Sequence, residues 1–498
     1  MSFRIHNILM AVMAIAISGC TCLSVYTPTK GERPGSGSLK LGEVASLQGV
    51  IKKESKNINT VTVIFIHGVG DTLPGYAVGD ERCKESAKIN RTAWLNPTAK
   101  SVIGLDDPGP QVDTAITAGD IGIGTPADAH REVIHLRYRQ FEWHYAGQHS
   151  VISLHAFEIT WAPMTCWIKD TLLGYDAAKI SPFSSLAGGS DREPCGVRQK
   201  KNCGAKMNAA TERDPPPPRV LVNGSLKWTL VDRALSDAVI YAGTYGEAIQ
   251  RGVAAALCRI ANDDAPSQLA VSEANLTKKK CQWPISSSLK GQRFIFVTHS
   301  LGGRILFDTL VGLQDTTGRY EKFPNAFSTD EVKRAAPNVK AMLSRTIGIY
   351  MMANQLSFMG LTDIPIGAPM TKLKPYLLSS VDRSARGGPM RDTYPLLTLL
   401  SERAAGSVTG RKKIPLNIIS FNDTNDLLTW QIPAWYEGAT STNGADVVHI
   451  SDVFLKNAPH WFWLWEWPTT AHAGYLSSPR VWQVIKCGAR DHHALVCD

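Results

Sequence analysis

Arg293-Phe294-Ile295-Phe296-Val297-Thr298-His299-Ser300-Leu301-Gly302-Gly303 says more about the fold than any other stretch of this 498-residue chain. Phe294, Ile295, Phe296 and Val297 form a run of bulky apolar residues, the pattern of a strand covered on both faces. Gly302 and Gly303 remove side chains where a helix must begin directly against that strand. Ile305, Leu306, Thr309, Leu310 and Leu313 then recur at helical spacing. Strand, sharp turn and helix therefore follow one another without a linker, and such a turn holds Ser300 strained and exposed, its hydroxyl pointing off the sheet. The pattern is usually written G-x-S-x-G. Here its first position is Thr298, at the bulky end of what close strand–helix packing tolerates.

A serine hydroxyl is protonated near neutral pH and attacks nothing without a base and a site for the oxyanion. Upstream, residues 61–66 form a second buried-strand run that ends in His67-Gly68-Val69-Gly70. The loop leaving such a strand turns backbone N–H groups toward the serine, so the N–H groups of Val69 and Leu301 are the expected oxyanion donors. His67 itself reads as a structural hydrogen bonder. A third buried strand, residues 414–421, runs into Asn422-Asp423-Thr424-Asn425-Asp426-Leu427-Leu428. Asp426, ahead of an apolar pair, is favoured as the orienting acid; Asp423 is the alternative, or a turn residue bonding its own backbone. Three late histidines compete as the base. His449 falls within the last strand, residues 447–454, and His460 adjoins an aromatic run. His472 falls in a small-residue loop just before a final helix built on Val481, Trp482, Val484 and Ile485, and is the expected base.

These segments, scattered over most of the chain and in this order, resemble the α/β-hydrolase superfamily in its lipase- and esterase-like branch. The resemblance implies an α/β fold with a mostly parallel central sheet, helices on both faces and long insertions. It also implies a Ser300–Asp426–His472 triad that cleaves carboxylic esters through an acyl-enzyme. It implies no substrate, because one fold hosts many chemistries. An acyltransferase using the same triad, or a catalytically idle envelope-binding protein, would carry the same motifs.

The N-terminus points to export. Arg4 precedes an apolar run over residues 8–17, too short to span a bilayer, and Ile17-Ser18-Gly19-Cys20 follows. Small residues ending at a cysteine resemble a bacterial lipobox, with residues 1–19 removed and Cys20 acylated. The competing reading is an ordinary signal peptide with Cys20 incidental. Thr21 is not the aspartate that resembles an inner-membrane retention signal, which favours the outer membrane. Residues 20–45, rich in Pro and Gly, read as the acylated cysteine and a flexible tether. Residues 46–498 then read as one hydrolase domain, with insertions near 100–220 and 360–410, the second a candidate cap.

Ten cysteines agree with an oxidising compartment. Cys195 with Cys203, Cys258 with Cys281, and Cys487 with Cys497 are plausible pairs, which leave Cys22, Cys83 and Cys166. No Cys or His spacing suggests zinc, Asp491-His492-His493 reads as a polar tail, and neither a metal nor a cofactor is expected. The formal charge of +9 is spread along the chain without a dense basic block. It permits attraction to anionic surfaces, and no nucleic-acid motif is present. Residues 461–467 hold four of the thirteen tryptophans, either lining an acyl pocket or lipid, or packed in the core. The expected partners are thus an ester of unknown size and a membrane reached through Cys20.

Overall fold

The computed structural model describes residues 23–27, 40–41, 43–54, 58, 60–70, 72–79, 93–106, 109, 111–144, 151–173, 227–262, 281–284, 292–314, 323, 325–363, 416–432, 448–457 and 468–496. Strands β1 (Ser24–Thr27), β2 (Lys40–Leu41) and β3 (Glu43–Val44) precede helix α1 (Leu47–Glu54) and strand β4 (Thr60–Ile66). Helix α2 (Pro97–Ile103) leads to β5 (Gln111–Thr117), β6 (Glu132–His144) and β7 (Val151–Thr160), then α3 (Ala162–Leu173). A π-helix, Lys227–Leu235, continues into α4 (Ser236–Ala242) and α5 (Tyr245–Asn262). The elbow strand β8 (Gln292–His299) is followed by α6 (Leu301–Gly312), α7 (Thr329–Ser344), β9 (Thr346–Met352) and α8 (Leu356–Met359). Strands β10 (Leu416–Asn422) and β11 (Val448–Phe454), helices α9 (Pro468–Ala473) and α10 (Pro479–Cys487), and the short β12 (Ala489–Arg490) and β13 (His493–Ala494) complete the order.

The central sheet has ten strands in the order β2-β1-β11-β10-β9-β8-β4-β7-β6-β5. From β11 to β7 every neighbouring pair is parallel; β6 and β5 on one edge and β1 and β2 on the other are antiparallel. The apolar runs behave as buried parallel strands should, with successive side chains entering different cores. Ile64, Ile66, Phe294 and Phe296 belong to one core, covered by α5, α6 and α7. Val63, Phe65, Ile295 and Val297 belong to the other, covered by α1, α2 and α10. Helices thus cover both faces of a mostly parallel sheet.

Several expectations are corrected. Within the 100–220 span β5, β6 and β7 extend the central sheet; residues 174–226 lie outside the described residues. Between α4 and α5 the helical run is interrupted, because Gly243 adopts an extended conformation after α4, and α5 restarts at Tyr245. The apolar face of α5, Ile249, Val253, Ala256, Leu257 and Ile260, is buried. The tether does not run free from Cys20. Ser24–Thr27 pairs with β11, and Leu23 is buried. Cys258 and Cys281 form a disulfide, and Cys166, expected to be left over, is also disulfide-bonded, as is Cys487. Asp491-His492-His493 lies at the turn of a small sheet ordered β13-β12-β3. Cys20, Cys22, Cys83, Cys195, Cys203, Cys497, the tryptophan-rich run 461–467 and all but the first residues of the candidate cap lie outside the described residues.

Ile249 is fully buried between α5 and the sheet. Truncation to alanine removes its packing and leaves a cavity, so Ile249→Ala is expected to lower unfolding free energy by about 2–5 kcal/mol. Denaturant titration at unchanged slope would measure it.

Candidate active site

Everything of chemical interest gathers at the C-terminal edge of the parallel strands. Ser300 follows β8 directly and caps α6 with φ 52° and ψ −126°, a conformation that costs a non-glycine residue energy. Two contacts hold it there. Ser300 N–H donates to Met352 O at 2.7 Å, and the loop after β4 closes over the turn. A Cβ on Gly68 would lie 2.4 Å from Ser300 Cβ, and a Cβ on Gly302 would lie 2.4 Å from His67 O. Only glycine fits at either position. Thr298 is tolerated because it faces another glycine: a Cβ on Gly303 would stand 3.2 Å from Thr298 Oγ1.

His472 sits on the last residues of the short helix α9, not in the loop expected from its small neighbours. Its Nδ1 contacts Asp426 Oδ1 at 2.9 Å and Oδ2 at 3.0 Å. A carboxylate accepts only, so Nδ1 carries the proton and Nε2 keeps a lone pair. That Nε2 and Ser300 Oγ are both buried, and neither has a hydrogen-bond partner among the described residues; Ser300, expected to be exposed, is instead covered by the loop after β4. His299 ties the two together. Its Nε2–H donates to His472 O at 2.8 Å and its ring lies 4.8 Å from the His472 ring. Burial, then the neighbouring His472, push the His299 pKa down to about 3, so it stays neutral and cannot rival His472 as a base.

The two aspartates separate cleanly. Asp423 Oδ1 accepts from Asn425 N–H at 2.9 Å and Oδ2 from Asn457 N–H at 2.6 Å, the work of a turn residue. Asp426 Oδ1 likewise accepts from Leu428 N–H at 2.9 Å, but its carboxylate also reaches His472, and Tyr475 O–H donates to its Oδ2 at 3.1 Å. The same Tyr475 oxygen accepts from Asp423 N–H at 2.5 Å, so one side chain sets both turn and acid. No sequence signal marked Tyr475 for this role. His449 is exposed on β11, and His460 lies outside the described residues.

His67 is structural, as expected. Its Nε2 accepts from the N–H groups of Trp161 and Ala162 at 2.9 and 3.2 Å, and Nδ1–H donates to Gly68 O at 2.6 Å. Burial pushes its pKa down to about 3. Leu301 is the first residue of α6, so its N–H has no acceptor within the helix. Val69 follows Gly68 in the loop that covers Ser300. Beyond it, Gly70 N–H donates to Asp237 Oδ2 at 2.6 Å, and Lys169 Nζ lies 2.9 Å from Asp237 Oδ1 with both side chains fully buried. Glu158 of β7 holds the next turn, accepting from the N–H groups of Gly75, Ala77 and Val78 at 2.6, 2.8 and 3.1 Å. Arg137 and Arg139 of β6 bond Gly79 O and Val78 O. Buried charge on neighbouring strands and helices therefore fixes the loop at Gly70 and over residues 75–79, and sequence reading missed all of it.

One exposed trio, Asp106, Glu142 and His144, sets potential metal donors within 4.8 Å of one another on the far part of β6 and nearby loop. It adjoins none of the residues above. No protein-family model matches this chain, and neither does any curated protein or solved structure. The reading of the site therefore stands on its own geometry.

Replacing a buried ion pair by apolar residues of similar volume leaves stability near its original value. The double variant Lys169→Met, Asp237→Leu is accordingly expected to stay folded. Without an acceptor for Gly70 N–H, it should react with a fluorophosphonate at Ser300 about tenfold more slowly or worse, scaled from the loss of one oxyanion donor. Pseudo-first-order labelling rates check this.

Asp452 of β11 anchors the far end of the acid turn, accepting from Asn422 Nδ2 at 2.9 Å and from Ile432 N–H at 3.2 Å. Burial pushes its pKa up to about 7 against the hydrogen bonds that favour its charge. The folded state therefore holds the proton more tightly than the unfolded chain. Stability from this group is full below about pH 4 and is lost as pH rises through about 7. Urea titrations from pH 5 to 8 should show Asp452→Asn gaining on the wild type as pH rises, by on the order of a few kcal/mol.

Proposed function

We propose that the chain is a serine hydrolase of carboxylic esters with an α/β-hydrolase fold, held at the bacterial cell envelope by an acylated Cys20. The observation that carries the reading is the His472–Asp426 pair. It fixes the imidazole with its basic Nε2 buried and, like Ser300 Oγ on the strained strand–helix elbow, without a hydrogen-bond partner among the described residues, while His299, next to Ser300 in the chain, bonds the His472 carbonyl. The fold proposal is supported by the placing of the elbow strand β8 next to β4, with the acid after β10 and the histidine after β11.

Each group has a defined task. His472 Nε2 takes the proton from Ser300 Oγ as Oγ attacks the ester carbonyl. Asp426 stabilises the imidazolium that forms, and remains ionised. The N–H groups of Val69 and Leu301 hold the negative oxygen of the tetrahedral intermediate. Collapse expels the alcohol, which takes the proton back from His472, and leaves the acyl group on Ser300. Water, deprotonated by the same Nε2, then releases the acid and restores the serine. His299 keeps the His472 backbone in place while staying uncharged. No step calls on a cofactor or a metal.

The cysteine pairs and the short apolar run before Cys20 support export, and Thr21 favours the outer membrane. No described helix is long and apolar enough to cross a membrane.

The test is a fluorophosphonate adduct located by peptide mass spectrometry on the full chain. The adduct is expected on Ser300 and should be lost in Ser300→Ala and His472→Ala. Ester turnover is expected to fall at least about 1,000-fold in both variants, with melting temperatures held. Retained turnover in Ser300→Ala, or an adduct on another residue, would sink the assignment.

A further inference from the structure

We propose that the catalytic edge of the sheet lies against the lipid surface that holds the acylated N-terminus, and that the ester attacked by Ser300 is drawn from that surface. The inference rests on the hydrolase and lipid-anchor reading above, but its own support is separate. It begins with the register of β1. Ser24 stands opposite Phe454, Phe454 opposite Asn422, Phe421 opposite Met352, and Met352 opposite His299. Ser24 therefore belongs to the row in which the parallel strands end, one residue short of Ser300 and of the turn that carries Asp426. Leu23 is packed into the core at that level, only 2% exposed, so the chain is fixed up to this point.

From Leu23 back to Cys20 is three residues, at most about 11 Å of fully extended chain. The opposite end of a seven-residue strand is roughly 23 Å away at 3.3 Å per residue. A leash that short, leaving from the catalytic edge, keeps that edge and not the opposite one near the acyl chains. Across the sheet, β8 is four strands from β1, about 19 Å at 4.8 Å per step. The anchor and Ser300 thus share one rim of the molecule.

The second observation is the character of that rim. Leu73, Leu361 and Leu427 are 37, 62 and 64% exposed on the loops leaving β4, β9 and β10. Val231, Leu235 and Val239 are 45, 43 and 65% exposed at a spacing of four residues, on the helical segment whose Asp237 holds Gly70. Six of the ten exposed large apolar side chains among the described residues therefore sit on these segments. Single exposed leucines mean little, but their concentration on one rim marks a surface that meets something apolar. A bilayer takes shallowly inserted Leu and Val side chains at its interface, and the formal charge of +9 favours anionic headgroups.

The test uses the full acylated chain in phosphatidylethanolamine–phosphatidylglycerol vesicles. It is compared with a variant carrying a Gly/Ser insert of about 30 residues between Cys22 and Leu23, long enough to free the orientation. Amide exchange over residues 72–79, 231–239 and 356–363 is expected to be slowed several-fold in the short-leash protein relative to the insert variant. The other end of the sheet, at Val151 and Thr346, should be unchanged. In parallel, Val231→Asp with Val239→Asp, both outside the catalytic machinery, is expected to cut the rate on a vesicle-embedded diacyl lipid at least tenfold. It should leave a soluble short-chain nitrophenyl ester untouched. Equal exchange in both proteins, slowing at the opposite end, or unchanged lipid turnover in the double variant would overturn the proposal. Slowed exchange at this edge with no turnover of either ester would overturn the hydrolase reading, and the substrate claim with it, while supporting the orientation.

Discussion

The whole arrangement depends on how closely the loop after β4 approaches the turn after β8. With hypothetical Cβ atoms at Gly68 and Gly302 only 2.4 Å from their neighbours, there is room for backbone and nothing else. That approach holds Ser300 at a positive φ, since relaxing the turn would require the loop to lift away. It also brings the Val69 segment over the serine. Strain at Ser300 and the placing of the proposed oxyanion donors are therefore consequences of one contact. The contact in turn requires β4 and β8 to be neighbours in a parallel sheet buried on both faces.

A loop forced so close must be kept from drifting, and the molecule does this with buried charge. Asp237 on Gly70, Lys169 on Asp237, and Glu158 on the three N–H groups of residues 75–78 are all fully or nearly fully buried. Burying carboxylates is costly unless they are paired and hydrogen-bonded. Their reward here is geometric: carboxylate oxygens hold a mobile type of backbone in one conformation. On the other side of the serine, Tyr475 and Asp452 do the same for the acid turn, and His299 does it for the base. Keeping His299 and His67 neutral by burial leaves His472 as the imidazole able to exchange a proton with Ser300.

The N-terminal strand adds a constraint of another kind. Because β1 joins the sheet antiparallel to β11, the chain enters the domain at the catalytic edge and not at the opposite one. Orientation at a surface would then follow from strand direction alone, without any dedicated docking domain. The same pairing explains why a segment rich in Pro and Gly is no simple tether: it begins with four residues that complete hydrogen bonds at the edge of the sheet.

Much of this was legible in the residues themselves. The apolar runs at 61–66, 294–297 and 414–421 became strands because bulky residues with no polar alternation have few other places to go. Ser300, Asp426 and His472 were singled out through turn chemistry and order along the chain, which are local properties. Three things were not local. Asp426 differs from Asp423 in which carboxylate the folded turn brings to His472, since both accept a backbone N–H two residues on. The strands β5 and β6, which looked like an insertion, belong to the sheet only because β7 offers an unpaired edge. Lys169, Asp237, Glu158 and Tyr475 carry no motif, because each acts by meeting a backbone group or carboxylate from a distant part of the chain: Gly70 and Asp237 are 167 residues apart. Local spacing encodes where the chain bends and what it presents, whereas the partners of a buried charge are decided by which segments the sheet order brings together.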